Sequence, residues 1–232
     1  MGFLVRRFAV LCVSAFFLIL AFRQLTLRDK FPPPTYIAST QITRPVKWKD
    51  VPIRHTVSSM MSLPTGVPLN IPKIQHQFGI ETEHNKAQRL QRLAAVKDMF
   101  MHSWEGYKKH AWLQDEVTPV SGGYKNGYGG RGATLVDTLD TLIIMGLDKE
   151  FNLALKAVSK IDFSTSADAT LNLFETTIRY LGGLLSAYDL GKTKHHVLLN
   201  KATELGDMLY GAFDTPNRLP ITHWDWSKCV SP

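Results

Sequence analysis

Residues 171–190 spell a helix that is apolar over most of its circumference and yet carries a carboxylate and a guanidinium. Phe174, Ile178, Leu181, Leu185 and Tyr188 recur at three- and four-residue steps, and Leu171, Leu173 and Leu184 widen the apolar face. A helix this greasy must be covered on more than one side, which calls for several helices packed together. Glu175 and Arg179 stand four residues apart and so share a face. Either they form a surface pair at the helix edge, worth a few tenths of a kcal/mol, or they line a cavity with every charge answered. An unpaired buried charge costs several kcal/mol. Gly182 and Gly183 follow, each weakening a helix by about 1 kcal/mol against alanine. Close packing or room for a ligand must recommend their missing side chains.

The surrounding sequence supplies the other helices. Leu90, Leu93, Val96, Phe100, Trp104 and Tyr107 mark one buried face of a first helix. Pro119 and the glycine-rich residues 121–132 break the pattern. A second helix is expected over residues 134–145, a third over 149–160, the fourth over 171–190 with Gly191 as its C-cap, and a fifth over 195–213. No segment alternates cleanly as a strand, and short connections between helices mean hairpins packed side by side. The expected class is all-α, with residues 87–232 as the globular part.

Upstream of residue 87 the chemistry changes. Arg6 and Arg7 precede an apolar run at residues 8–22 that holds no charge, and Arg23, Arg28 and Lys30 follow it. Fifteen helical residues reach about 22 Å against a hydrocarbon core of about 30 Å. Phe3, Leu4 and Val5 extend the apolar surface, and the flanking arginines can snorkel. A cleaved signal would need small residues at the cleavage positions, and 20–24 (LAFRQ) does not offer them. Residues 1–28 are therefore read as a tip and transmembrane signal anchor. Residues 29–86, opened by Pro32, Pro33 and Pro34 and punctuated by further prolines, are read as an extended stalk.

Charge excludes one class of partner. Residues 1–90 hold 12 basic and 4 acidic residues (+8), and residues 91–232 hold 15 and 16 (−1). The basic excess lies in the tail, so nucleic acid is not an expected partner of the globular part. Two cysteines, Cys12 and Cys229, make neither a disulfide framework nor a zinc spacing.

Several smaller motifs bear on function. Gly127, Gly129 and Gly132 satisfy G-x-G-x-x-G before a helix, but a dinucleotide site needs a hydrophobic strand in a βαβ unit, and residues 121–126 read as a loop. Asp137 and Asp140 sit three apart on the second helix, where either can cap, pair with a cation or face a polar cavity. His195 and His196 read as solvent-facing, with no metal. Trp224 and Trp226 read as core or loop anchors rather than sugar platforms. Two carboxylates on different helices, with an arginine beside them, are the apparatus of glycoside hydrolysis: one protonates the leaving oxygen and the other activates water or attacks.

Read as strings, these segments resemble the class I α-1,2-mannosidases, glycoside hydrolase family 47. The matching stretches are 100–112 (FMHSWEGYKKHAW), 115–119 (DEVTP), 132–145 (GATLVDTLDTLIIM), 174–190 (FETTIRYLGGLLSAYDL) and 205–220 (LGDMLYGAFDTPNRLP). The resemblance implies an (α/α)7 barrel, a toroid of helix hairpins, of which this chain would be an incomplete arc. It implies inverting, calcium-dependent (Ca2+) removal of α-1,2-linked mannose from high-mannose N-glycans. It also implies a single-pass type II enzyme of the Golgi or endoplasmic reticulum membrane, anchored through residues 8–22. Carried over by motif, Glu175 is the acid catalyst, Asp137 an active-site acid and Arg179 a substrate-binding residue. The family's water-activating carboxylates and its calcium-binding threonine would lie beyond residue 232, so the chain alone is expected to be poorly folded and inactive. The rival reading is a catalytically dead, membrane-tethered glycan-binding protein that keeps Glu175 and Arg179 as sugar contacts.

Overall fold

The computed structural model describes residues 45–230, apart from 60, 63, 68 and 71. The expected anchor at 8–22 and the first part of the expected stalk lie outside the described residues. Among the described residues no helix is long and apolar enough to cross a membrane.

The chain enters through a short 3-10 helix, Trp48–Asp50, and then a long helix α1, Glu83–His110. An antiparallel hairpin of β1, Glu116–Thr118, and β2, Gly123–Lys125, follows. Then come α2, Ala133–Asp137, α3, Leu139–Ile144, and α4, Asp148–Val158. Strand β3, Thr170–Asn172, leads into α5, Leu173–Thr176, a π-helical segment Thr177–Leu181 and α6, Gly182–Leu190. Helix α7, His196–Tyr210, strand β4, His223–Asp225, and α8, Ser227–Val230, complete it. The molecule is helix-rich and all-α in class, with two short ladders added.

Helix α6 packs between α3 and α7, and their facing side chains make the core. Leu135, Val136, Leu139, Leu142, Leu184 and Leu205 are all fully buried there. Helix α4 adds Phe151, Ala154 and Val158. Its acid Glu150 accepts from Trp104 Nε1 at 2.7 Å and Lys108 Nζ at 2.9 Å, which ties α4 to α1. Those two hydrogen bonds, Lys108's first, hold the Glu150 carboxyl below the usual range.

The structure corrects several expectations. The buried face assigned to α1 holds only from its middle onward: Trp104 and Tyr107 are buried, but Leu90, Leu93 and Val96 are about half exposed. Periodicity marks a stripe without saying what covers it. The helix also starts four residues before 87, where the Thr82 side chain accepts from Asn85 N. The single helix expected at 134–145 is divided at Thr138, whose hydroxyl donates to Thr134 O at 2.5 Å and competes with the regular ladder.

The helix expected at 171–190 departs more. Leu171 lies on β3, paired with Trp224, and the helix begins only at Leu173. Of its two apolar stripes, the buried one is Leu173, Tyr180, Leu184 and Ala187, whereas Phe174, Ile178 and Leu185 are exposed. A helix apolar all round carries no local signal for which stripe meets the core. Residues 45–56, placed in the stalk by their prolines, are fastened to the globular part. Trp48 is buried on Trp224, with ring centroids 5.3 Å apart, and donates to Ser164 O at 2.6 Å. Asp214 accepts from Arg54 N and His55 N at 2.8 and 2.7 Å.

Candidate active site

Three of the residues singled out by sequence meet in space. Arg179 Nε donates to Glu175 Oε2 at 2.7 Å, and Arg179 Nη1 donates to Asp137 Oδ2 at 3.0 Å. The first bond is a helical i,i+4 pair, and the second joins two segments 42 residues apart. The three side chains are 33%, 28% and 33% exposed for Arg179, Glu175 and Asp137, so the group is open to solvent on one side.

Local structure places each member. Asn172 ends β3 and caps α5, its side chain accepting from Glu175 N at 3.1 Å. The hydroxyls of Thr176 and Thr177 donate back to Asn172 O and Leu173 O, beside the π segment that carries Arg179. π segments recur at functional sites because they re-aim side chains without ending the helix. Tyr180 turns into the core on this segment while Arg179 reaches Glu175 and Asp137. The Tyr128 ring lies against Arg179, 4.6 Å from guanidinium carbon to ring centroid. Asp137 ends α2, where Val136 backs directly onto Gly183.

Burial is the main influence on Asp137 and pushes its carboxyl above the ordinary value, against the pull of Arg179; the nearby Asp140 and Glu175 charges push the same way. Burial opposes the Arg179 charge, but the bonds from Asp137 and Glu175 outweigh it and hold the guanidinium protonated. A carboxyl that keeps its proton readily, beside an arginine that orients two acids, can give and take protons at a bound hydroxyl or ether oxygen. Asp140, three residues on, is held differently: it accepts from Ser186 on α6 at 2.8 Å and does not join the arginine.

The organising residue that sequence reasoning passed over is Asp115. It is fully buried, and its carboxylate accepts from the backbone N–H groups of Tyr128, Gly130, Arg131 and Ala133 and from the Tyr180 hydroxyl at 2.8–3.1 Å. The G-x-G-x-x-G loop therefore does cradle an anion, and the anion is an internal carboxylate. Gly129, Gly130 and Gly132 all have φ between 69° and 87°, the left-handed geometry that turns successive N–H groups inward. Residues 123–125, read as loop, form β2, but in an antiparallel hairpin rather than a βαβ unit. Asp115 thus sets Tyr128, which lies against Arg179, and Tyr180, which follows it. The available signal was an acid shortly before a loop rich in left-handed glycines.

The remaining assignments divide. Trp224 and Trp226 are core residues at 2% and 3% exposure, as expected. His195 is not simply solvent-facing: it is half-buried, edge-on to Phe151 at 5.0 Å. Cys229 is a free, partly buried thiol. Among the described residues no cluster of three or more His, Cys, Asp or Glu is arranged to hold a metal ion, and Asp137 and Glu175 are committed to Arg179. These residues do not fit a calcium site.

Comparison with known proteins bears on the same region. Residues 99–231 match the model of glycosyl hydrolase family 47. A mannosyl-oligosaccharide alpha-1,2-mannosidase of Penicillium citrinum is 44% identical over 182 residues, covering 70% of this chain and 35% of the relative. A mannosyl-oligosaccharide 1,2-alpha-mannosidase of Arabidopsis thaliana is 47% identical over 131 residues, covering 56% and 23%. The solved alpha-1,2-mannosidase from Trichoderma reesei superimposes with a TM-score of 0.55 at 40% identity, over 57% of this chain and 30% of that one. The chain spans about a third or less of the length of these relatives.

Proposed function

Because the chain belongs to glycosyl hydrolase family 47, we propose that it contributes the acid side of an α-1,2-mannosidase site acting on high-mannose N-glycans. The observation that carries this reading is the convergence of Glu175, Asp137 and Arg179 from separate segments inside the family-matched region. In this reading Glu175 protonates the departing glycosidic oxygen while water adds at the anomeric carbon from the opposite face, inverting it. Arg179 holds the two acids apart and offers its remaining N–H groups to sugar hydroxyls. The helices around the site form an arc of an (α/α)7 barrel. The family resemblance implies calcium dependence, and among the described residues no carboxylate cluster forms a site for the ion.

The test is mannose release from α-1,2-mannobiose, with the Penicillium citrinum enzyme as positive control. Release by the chain that falls about 100-fold or more in Glu175→Gln supports the reading. No release where the control releases mannose overturns hydrolysis by this chain. Retention of high-mannose glycan that depends on Arg179 would then favour the glycan-binding alternative.

We also propose residence in the Golgi or endoplasmic reticulum membrane as a type II protein held by residues 8–22, on the strength of that uncharged apolar run between basic flanks. Release of the chain from microsomes by alkaline carbonate would overturn it.

A further inference from the structure

The two bonds that Arg179 makes to the acids do not by themselves fix it. Its side chain is one-third exposed, and its carboxylate partners are about as open. Arginine has many rotamers to lose, and ion pairs as open as these hold it weakly. Both bonds also run from the edge of the guanidinium, from Nε to Glu175 and from Nη1 to Asp137. Edge bonds set direction within the guanidinium plane but leave the plane free to tilt. What stops a planar cation from tilting is a surface against its face, and arginine takes aromatic rings there.

The Tyr128 ring is that surface, with the guanidinium carbon 4.6 Å from its centroid. Tyr128 is itself held from below. Its N–H donates to Asp115 Oδ2 at 2.8 Å, and its carbonyl lies 3.0 Å from the Tyr180 hydroxyl. That hydroxyl is also 2.8 Å from Asp115 Oδ1. Asp115 and Tyr180 are fully buried, so any shift there strips a hydrogen bond that no water replaces. The contacts close a circuit. Asp115 holds the Tyr128 backbone, the Tyr128 ring meets Arg179, Tyr180 follows Arg179 in the chain, and Tyr180 returns to Asp115. One aromatic ring thus carries the stiffness of a buried frame to an exposed cation.

We propose that Tyr128 is a positioning residue for the acid pair: its ring fixes the guanidinium plane of Arg179 and, through it, the carboxyls of Glu175 and Asp137. What those acids are positioned for rests on the mannosidase reading. The contact is made by the ring face, so phenylalanine can stand in for tyrosine and a side chain without a π face cannot. Asp137 reports on the arrangement from the far side of the guanidinium. Burial raises its carboxyl, Arg179 pulls it down, and Asp140 and Glu175 push it up. A guanidinium that tilts gives up part of its pull, while the two acidic neighbours keep their push.

The test is NMR of the 15N,13C-labelled full chain, comparing Tyr128→Ala and Tyr128→Phe with the wild type and Arg179→Ala. Two signals are followed: solvent exchange of Arg179 Nε–H and the titration of the Asp137 carboxyl. In Tyr128→Ala the Nε–H should exchange several-fold faster, and Asp137 should titrate higher than in the wild type and lower than in Arg179→Ala. Tyr128→Phe should match the wild type in both. The amides of Gly130 and Ala133, which donate to Asp115, show in each variant that the buried frame is intact. If Tyr128→Ala does not fold, Tyr128→Leu, which keeps bulk without a π face, takes its place. The proposal is overturned if the variant without a ring leaves both signals as in the wild type, or if Tyr128→Phe moves them as far. Failure of the hydrolysis reading shows separately, as absent mannose release with both responses intact.

Discussion

Arg179 donates to Asp137 across 3.0 Å, and this contact fastens the end of α2 to the segment that carries Glu175. Removing the guanidinium should do two things. Both ion pairs are about a third exposed, so solvent screening limits their worth to about 1 kcal/mol or less each. Arg179→Ala should therefore cost about 1–2 kcal/mol in urea unfolding. It should also raise the Asp137 pKa further, because Arg179 is the group pulling it down against burial. A 13C titration of the Asp137 carboxyl checks this, and a downward move would contradict the geometry.

Asp137 also sets a pH dependence whose sign is opposite to that of most carboxylates. Its folded pKa lies above the ordinary aspartate value of 3.8, so the folded chain binds the proton more tightly than the unfolded one. The resulting stability is fully present below that ordinary value and is lost as pH rises through the folded pKa. Asp137→Asn should flatten this part of the profile. Urea midpoints measured between about pH 3 and pH 7 should show the wild type losing stability relative to the variant as pH rises through the window above 3.8.

The two adjacent glycines of α6 should respond in opposite directions. A Cβ on Gly183 would lie 2.9 Å from Val136 O and 3.2 Å from Val136 Cγ1, so the backbone beside Asp137 would have to move. A Cβ on Gly182 would meet nothing nearer than Thr177 O at 3.6 Å. Gly183→Ala should cost about 1–3 kcal/mol, and Gly182→Ala should be neutral or gain up to about 1 kcal/mol from helix propensity. Thermal unfolding of the pair decides it.

These contrasts mark how far the sequence could be read. Apolar periodicity located the helices to within a few residues because each buries a stripe in the core around Leu135, Leu139 and Leu184. It could not choose between two apolar stripes, so Phe174 and Ile178 were assigned inward and lie outward. Nor could it see Leu171 as strand, since that pairing depends on Trp224, 53 positions away in the chain. The convergence of Asp137 with Arg179 is likewise a tertiary fact: spacing put Glu175 beside Arg179 and by itself favoured a surface pair. Proline content hid Trp48, whose indole is held by Ser164.

The fastening of that proline-rich segment gives a further prediction. Asp214 accepts from two consecutive backbone N–H groups, Arg54 and His55. Burial opposes its charge, but these bonds and the His55 ring outweigh it and hold the carboxyl below the usual range. Its stabilisation is therefore present above the ordinary value of 3.8 and is lost as pH falls through the folded pKa. Asp214→Ala should free the segment at neutral pH. Trypsin cleavage after Arg54 should accelerate in the variant, and the Arg54 and His55 amide resonances of the wild type should move toward it on acidification.

Asp115 offers the sharpest test, because it separates the shape of a side chain from its pattern of acceptors. Oδ1 accepts from Arg131 N, Ala133 N and the Tyr180 hydroxyl, and Oδ2 accepts from Tyr128 N and Gly130 N. Asp115→Asn keeps the size but turns one of these atoms into a donor, and either orientation of the amide then faces at least two N–H groups. Each buried donor left without an acceptor costs about 1–3 kcal/mol. Asp115→Asn should thus be nearly as harmful as Asp115→Ala, with losses of about 4 kcal/mol or more that unfold a marginal chain. Tyr180→Phe removes only one donor and leaves the carboxylate its four backbone partners, so it should cost about 1–2 kcal/mol. If Asp115→Asn is instead as mild as Tyr180→Phe in urea unfolding, the glycine loop is not held by the carboxylate. The placement of Tyr128 against Arg179 would then need another cause.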